Sequence, residues 1–136
     1  MESKMVIDSC IFINYFRTHN KSTSLLQQLL AIDPDVFVSV ITKYEVLCGS
    51  KDTDSFFWQE TFKMFVILPV DEAAIKIGCQ IYRQLKRNRC LIDTSDILIA
   101  ATAITNNLPL ATLNRNHFER IDKLRLVDLS DIYPKQ

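Results

Sequence analysis

The sequence predicts an α/β fold in which a mostly parallel five-stranded sheet is covered on both sides by helices. Two observations carry that expectation. Short apolar runs rich in β-branched residues alternate with segments of helical periodicity, the pattern of strands joined by helical crossovers. The chain has 136 residues, 48% of them hydrophobic, which suits one domain with a substantial core.

Taken in order, Met5 to Asp8 reads as a first strand with Val6 and Ile7 buried, and Cys10 to Phe16 as the helix after it. Ser24 to Ile32 carries Leu25, Leu26, Leu29 and Leu30 at helical spacing. The run "VFVSV", Val36 to Val40, is the second strand. In "ITKYEVLCGS", Thr42-x-x-Glu45 matches a capping box at the start of a helix that ends near Gly49.

The segment "TDSFFWQETFKMF" is a further helix, whose aromatic stripe suits either the core or a partner surface. "FVILPV", Phe65 to Val70, is the third strand, and Asp71 caps a helix running to about Lys86. After the polar turn "RNRCLID", a second helix in a row spans Thr94 to about Asn106, a departure from strict alternation. "LPLATL", Leu108 to Leu113, and "LRLVDL" near Leu126 complete the five strands.

Composition removes several function classes. Sixteen acidic residues balance sixteen basic ones, so no strongly positive field announces a nucleic-acid binder, although a bound metal could supply the charge that meets a phosphate. With two glycines and no Gly-rich loop, P-loop and dinucleotide folds are disfavoured. Cys10, Cys48, Cys79 and Cys90 form no C-x-x-C pair and read as small buried apolar residues. No apolar run is long enough for a membrane span, and "MESKMVIDS" lacks the order of a signal peptide, so the expected location is cytoplasmic.

Asp8, Glu45 and Asp96 each have an ordinary structural explanation: a helix N-cap, a capping box, and a favourable charge in a first helical turn behind the N-cap candidate Asp93. Their positions argue for more. In an open α/β sheet, a helix after a strand begins at that strand's C-terminal edge, and a helix before a strand descends from that same edge. Asp8 ends the first strand, Glu45 lies in the first turn after the second, and Asp96 opens the helix before "LPLAT". All three then face one crevice, with Thr112 and Asn114 after the fourth strand. Crowded carboxylates need a cation, and oxygen-only ligands select Mg²⁺ or Mn²⁺. With His19 and His117 the only histidines and no Ser-His-Asp set, metal-assisted attack of water on a phosphodiester fits this constellation best.

In order and spacing, "MVIDSCIFINYF", "VSVITKYEVLCGS", "DTSDILIAATAI" and "LATLNRNHFERI" resemble the motifs of PIN-domain ribonucleases, in particular VapC-type toxins of toxin–antitoxin pairs. The resemblance covers nearly the whole chain. It implies a three-layer α/β/α sandwich and a Mg²⁺-dependent endoribonuclease. It also implies a cognate VapB-type antitoxin, an RNA substrate and a homodimer. Asp8, Glu45 and Asp96 match the family's three acids, and Thr112 and Asn114 its polar fourth motif. Ser9 and Asp93 are candidate supporting residues. Many relatives carry a fourth acid immediately before the Phe of the last motif, where this chain has His117 before Phe118. Either His117 supports the site or contacts phosphate, or Glu119 or Asp93 substitutes, or a second metal position is weak.

Two rivals stand beside this reading. A phospho-acceptor receiver domain shares the length and the acidic edge, but it calls for an acidic pair after the first strand and a Lys after the fifth. Here Ser9 and Cys10 follow Asp8, and "LRLVDLSD" has no such Lys. An inactive PIN-like binding module would keep the cleft without turnover. The basic run Arg83, Lys86, Arg87 and Arg89 could guide RNA, or simply form a solvated face.

Overall fold

Met5–Ile7 forms β1, and its three residues are all buried because they point alternately into two apolar layers. Met5 and Ile7 join one cluster with Phe12, Leu29, Val46 and Trp58. Val6 joins the other, with Ile81, Leu85, Ile99 and Phe118. The strand Val36–Ser39 (β2) repeats the alternation, with Val36 and Val38 on the first side and Phe37 on the second. Val66–Leu68 (β3) and Leu110–Ala111 (β4) complete a parallel sheet of order β3-β2-β1-β4. This computed structural model describes residues 4–33 and 35–132.

The helices are Ser9–Arg17 (α1), Leu25–Ile32 (α2), Val40–Gly49 (α3), Asp52–Phe62 (α4), Glu72–Arg87 (α5), Thr94–Thr105 (α6) and the short Arg115–Phe118 (α7). α1, α2 and α4 fill the first layer, and α5 and α6 the second, giving three layers in all. Ser24 caps α2, and Asp71 caps α5 by accepting the Ala74 N–H at 2.9 Å. Both second-layer helices end on a left-handed residue, Arg89 (φ 55°) and Asn107 (φ 54°). The following N–H groups then bond back to Leu85 at 3.0 Å and to Ala103 at 2.9 Å.

The structure corrects several expectations. Among the described residues four strands form the sheet, not five: Leu126 makes one parallel bridge to Leu110. β4 is two residues long and only Leu110 turns its N–H and C=O to this side, bonding to Arg125 O and Val127 N at 2.9 Å each, so the pairing ends after a single rung. Thr42 does not open α3. Ser39 caps it, accepting the Ile41 N–H at 3.1 Å, which places Glu45 in the second helical turn instead of the first.

The aromatic segment divides between the two roles considered for it. Trp58 and Phe62 are fully buried around Phe12, with Trp58 edge-on to Phe12 at 5.9 Å, while Phe56 is 73% exposed. Nor are all four cysteines buried. Cys48 and Cys79 are exposed on the outer faces of α3 and α5, and Cys10 and Cys90 are half-buried. Arg83, Lys86, Arg87 and Arg89 are all exposed. Among the described residues, no helix is long and apolar enough to cross a membrane.

Candidate active site

The sheet order reverses between β1 and β4, and at such a switch point two loops diverge and leave a crevice beyond the strand ends. Asp8 follows β1 at one lip, and Thr112 follows β4 at the other. They meet directly, the Thr112 hydroxyl donating to Asp8 Oδ2 at 2.7 Å across 104 positions of sequence. Asp8 is 3% exposed, so its two oxygens depend on protein donors: Oδ1 accepts the Ser9 N–H at 2.8 Å, and Oδ2 also accepts the Cys10 thiol at 3.2 Å.

Glu45 reaches the same place from α3. The Ser9 hydroxyl donates to Glu45 Oε1 at 2.7 Å, and Thr42 Oγ1 stands 3.3 Å from that hydroxyl. Asp96 arrives as the third residue of α6, behind Asp93, which is exposed and makes no side-chain capping bond. Asn114 donates its own N–H to Thr112 Oγ1 at 3.0 Å. Its amide lies 2.8 Å from His117 Nδ1, which is 3.6 Å from Asp96 Oδ2. Glu119 is exposed at the end of α7 and bonds to none of these acids.

Electrostatics bind the acids into one unit. Burial raises the Asp8 carboxyl above its ordinary value, the Thr112, Cys10 and Ser9 hydrogen bonds oppose that rise, and the charge of Glu45 adds to it. Asp96 is pushed up to about 6, first by burial and then by Asp8, with His117 pulling the other way and Glu45 and Asp93 adding repulsion. The first turns of α1 and α6 direct unpaired N–H groups toward this edge and offset part of the charge.

The residues therefore suit a hard divalent cation: the donors are carboxylate oxygens, and two of them pay for ionisation in its absence. Among the described residues no three His, Cys, Asp or Glu side chains close around a point tightly enough to hold an ion alone. That spacing is compatible with Mg²⁺, which keeps several waters and takes only one or two carboxylates directly.

Two participants escaped the sequence reading. Cys10 differs from the other cysteines in lying two residues after Asp8, in the first turn of α1, where its thiol donates to that carboxylate. Thr42, which matches the capping-box pattern in sequence, is a fully buried neighbour of Ser9.

The topology excludes the receiver-domain alternative, in which the first strand lies between the second and third; here β1 lies between β2 and β4. Comparison with known proteins gives the positive assignment. The PIN domain family model matches residues 5–124. Ribonuclease VapC1 of Methanocaldococcus jannaschii is 36% identical over 126 residues, 92% of this chain and 86% of that protein. The structure of VapBC-1 from nontypeable Haemophilus influenzae matches with a TM-score of 0.78 at 22% identity, covering 93% of this chain and 98% of the other. A toxin–antitoxin complex from Klebsiella pneumoniae matches with a TM-score of 0.76 at 23% identity, covering 96% and 99%. The family model and the whole-length similarity agree: the chain belongs to the PIN domain family, within its VapC group.

Proposed function

We propose that this chain is an endoribonuclease that uses Mg²⁺, with Mn²⁺ as a substitute, and serves as the toxin of a toxin–antitoxin pair acting on cytoplasmic RNA. The observation that carries the proposal is the convergence of Asp8, Glu45 and Asp96 at the switch point, where burial and mutual repulsion raise two of the three. The name of the VapC1 relative, a ribonuclease, supports the same reading.

When bound, the divalent ion supplies an activated water and neutralises charge on the phosphate. The chain's own residues prepare the place. Asp8 and Asp96 hold the ion, directly or through water. Glu45 is fixed through Oε1 by Ser9, leaving Oε2 to hold and orient a water. Thr112 keeps Asp8 in place, and Asn114 with His117 forms a polar wall beside Asp96 that can donate to a phosphate oxygen.

A VapB-type antitoxin is the proposed partner. A groove of ≈ 560 Å³ between α1, α3 and α4 is lined by Phe12, Ile13, Phe16 and Val46 and reaches Ser9 and Glu45 at one end. An apolar segment laid there would bring an Arg or Lys of the antitoxin to the acids. The exposed faces of Phe56, Phe57 and Met64 suit a homodimer contact.

Cleavage of mixed single-stranded RNA with and without Mg²⁺, by the parent and by Asp96→Asn, tests the reading. Metal-dependent cleavage lost in the variant is the expected result. Unchanged cleavage by Asp96→Asn would sink the site assignment, and a metal-loaded parent that cuts no RNA would favour an inactive binding module.

A further inference from the structure

Asp8 is held by three donors, of which the Cys10 thiol has no part in the chemistry described above. Oδ1 accepts the Ser9 N–H at 2.8 Å, whereas Oδ2 accepts both the Thr112 hydroxyl at 2.7 Å and the Cys10 thiol at 3.2 Å. Cys10 Sγ also accepts the Leu113 N–H at 3.3 Å and lies 3.5 Å from Thr112 Oγ1. One side chain in the first turn of α1 thus joins the carboxylate at the end of β1 to the backbone of the loop after β4, 103 positions away.

We propose that Cys10 is a positioning residue which, together with Thr112, occupies Asp8 Oδ2 so that this carboxylate meets a divalent ion through Oδ1 alone. The proposal rests on the metal-dependent nuclease reading. A carboxylate offers about four lone-pair positions. Thr112 and Cys10 take the two on Oδ2, and Ser9 takes one on Oδ1, so a single position on Oδ1 remains for an ion.

The terminal torsion of an Asp is soft, and hydrogen bonds of this kind are what stop it turning. Without the thiol, Oδ2 regains a lone pair, one of the three bonds that hold the carboxylate is gone, and it can grip with both oxygens. An octahedral ion with bonds of about 2.0–2.1 Å accommodates that chelate poorly. A packing role would ask of position 10 only a small apolar group. The positioning role asks for a donor.

The experiment uses the full chain, with Cys10→Ala and Cys10→Ser compared by Mn²⁺ titration calorimetry, by kcat and KM on single-stranded RNA, and by Tm. Loss of one hydrogen bond to a charged oxygen should weaken Mn²⁺ binding about five- to tenfold in Cys10→Ala and lower kcat by a similar factor, with KM unchanged. Cys10→Ser should restore both to within about threefold, because a hydroxyl keeps the donor. Parent-like Mn²⁺ binding by Cys10→Ala, or equal losses in both variants that track Tm, would overturn the proposal. Asp8→Asn, run alongside, separates the two readings. If it binds Mn²⁺ as the parent does, the metal site itself is wrong; if it loses the ion while Cys10→Ala keeps it, only the role of Cys10 falls.

Discussion

At one end of α1, Asp8, Ser9 and Cys10 stand in a crowd of acids and hydroxyls; one turn further on, Phe12 stands among aromatic rings. Around Phe12, the rings of Trp58, Phe62 and Phe65 lie 5.4–6.0 Å away at tilted or edge-on angles. Here every element of the packing favours the folded state except the Trp58 N–H, which is buried without an acceptor. In the crevice the balance reverses. Asp8 and Asp96 are ionised at a cost that the fold bears, because burial and neighbouring charge oppose it. The same helix therefore carries a region that stabilises the protein and a region that spends stability on a reactive surface.

The sharpest way to break that contrast is to remove an acid. Asp96→Asn should slow RNA cleavage by about 100-fold or more, the scale of losing one preorganised electrostatic group, while leaving the fold intact by circular dichroism. Its metal-free Tm at pH 7.5 should rise by about 3 °C, since a charge the fold opposes has been removed. A fall in Tm would mean that Asp96 is a structural anchor and the comparison is wrong.

The opposite change is Phe12→Ala, which should cost about 3–5 kcal/mol of stability in denaturant titration. Any activity lost at low temperature should return when Mg²⁺ is saturating and the folded fraction is restored, because Phe12 bonds to none of the acids.

A smaller effect concerns pH. The folded pKa of Asp96, about 6, lies above its ordinary 3.8, so between those values the folded state binds more protons than the unfolded state. Stability of the metal-free protein should therefore fall as pH rises from about 4 to about 6, then level off by about 7. Thermal melts in chelator check this, and Asp96→Asn should flatten the slope.

The smallest change is expected at the exposed part of the aromatic segment. Phe56→Ala should shift monomer stability by less than about 0.5 kcal/mol while weakening self-association in sedimentation. A large loss of stability would place Phe56 with Trp58 in the core.

The sequence made the long-range plan legible because buried strands and capped helices carry local signals. The apolar runs at Val6 and Ile7 and at "VFVSV", and the Asp71 cap, needed no tertiary information. What it could not show were features decided by a few hydrogen bonds. Ser39 and Thr42 are both plausible caps, and the choice between them turned on where β2 released the chain. The strand-like run at Leu126 has the right residues, but two-residue β4 offers it almost nothing to pair with. In the crevice, the arrival of acids from three elements was readable from topology. Cys10 was not, because a thiol beside a carboxylate looks in sequence like any small apolar residue.

The Thr112–Asp8 bond has a consequence in time. Asp8 is translated 104 residues before its partner, which at about 5–20 residues per second is a delay of roughly 5–20 s. Until β4 has left the ribosome and docked beside β1, Asp8 has neither lip of the crevice opposite it nor the hydroxyl that holds it. On the proposed reading, the acids have no assembled crevice in which to meet RNA until a segment made 104 residues after Asp8 has docked.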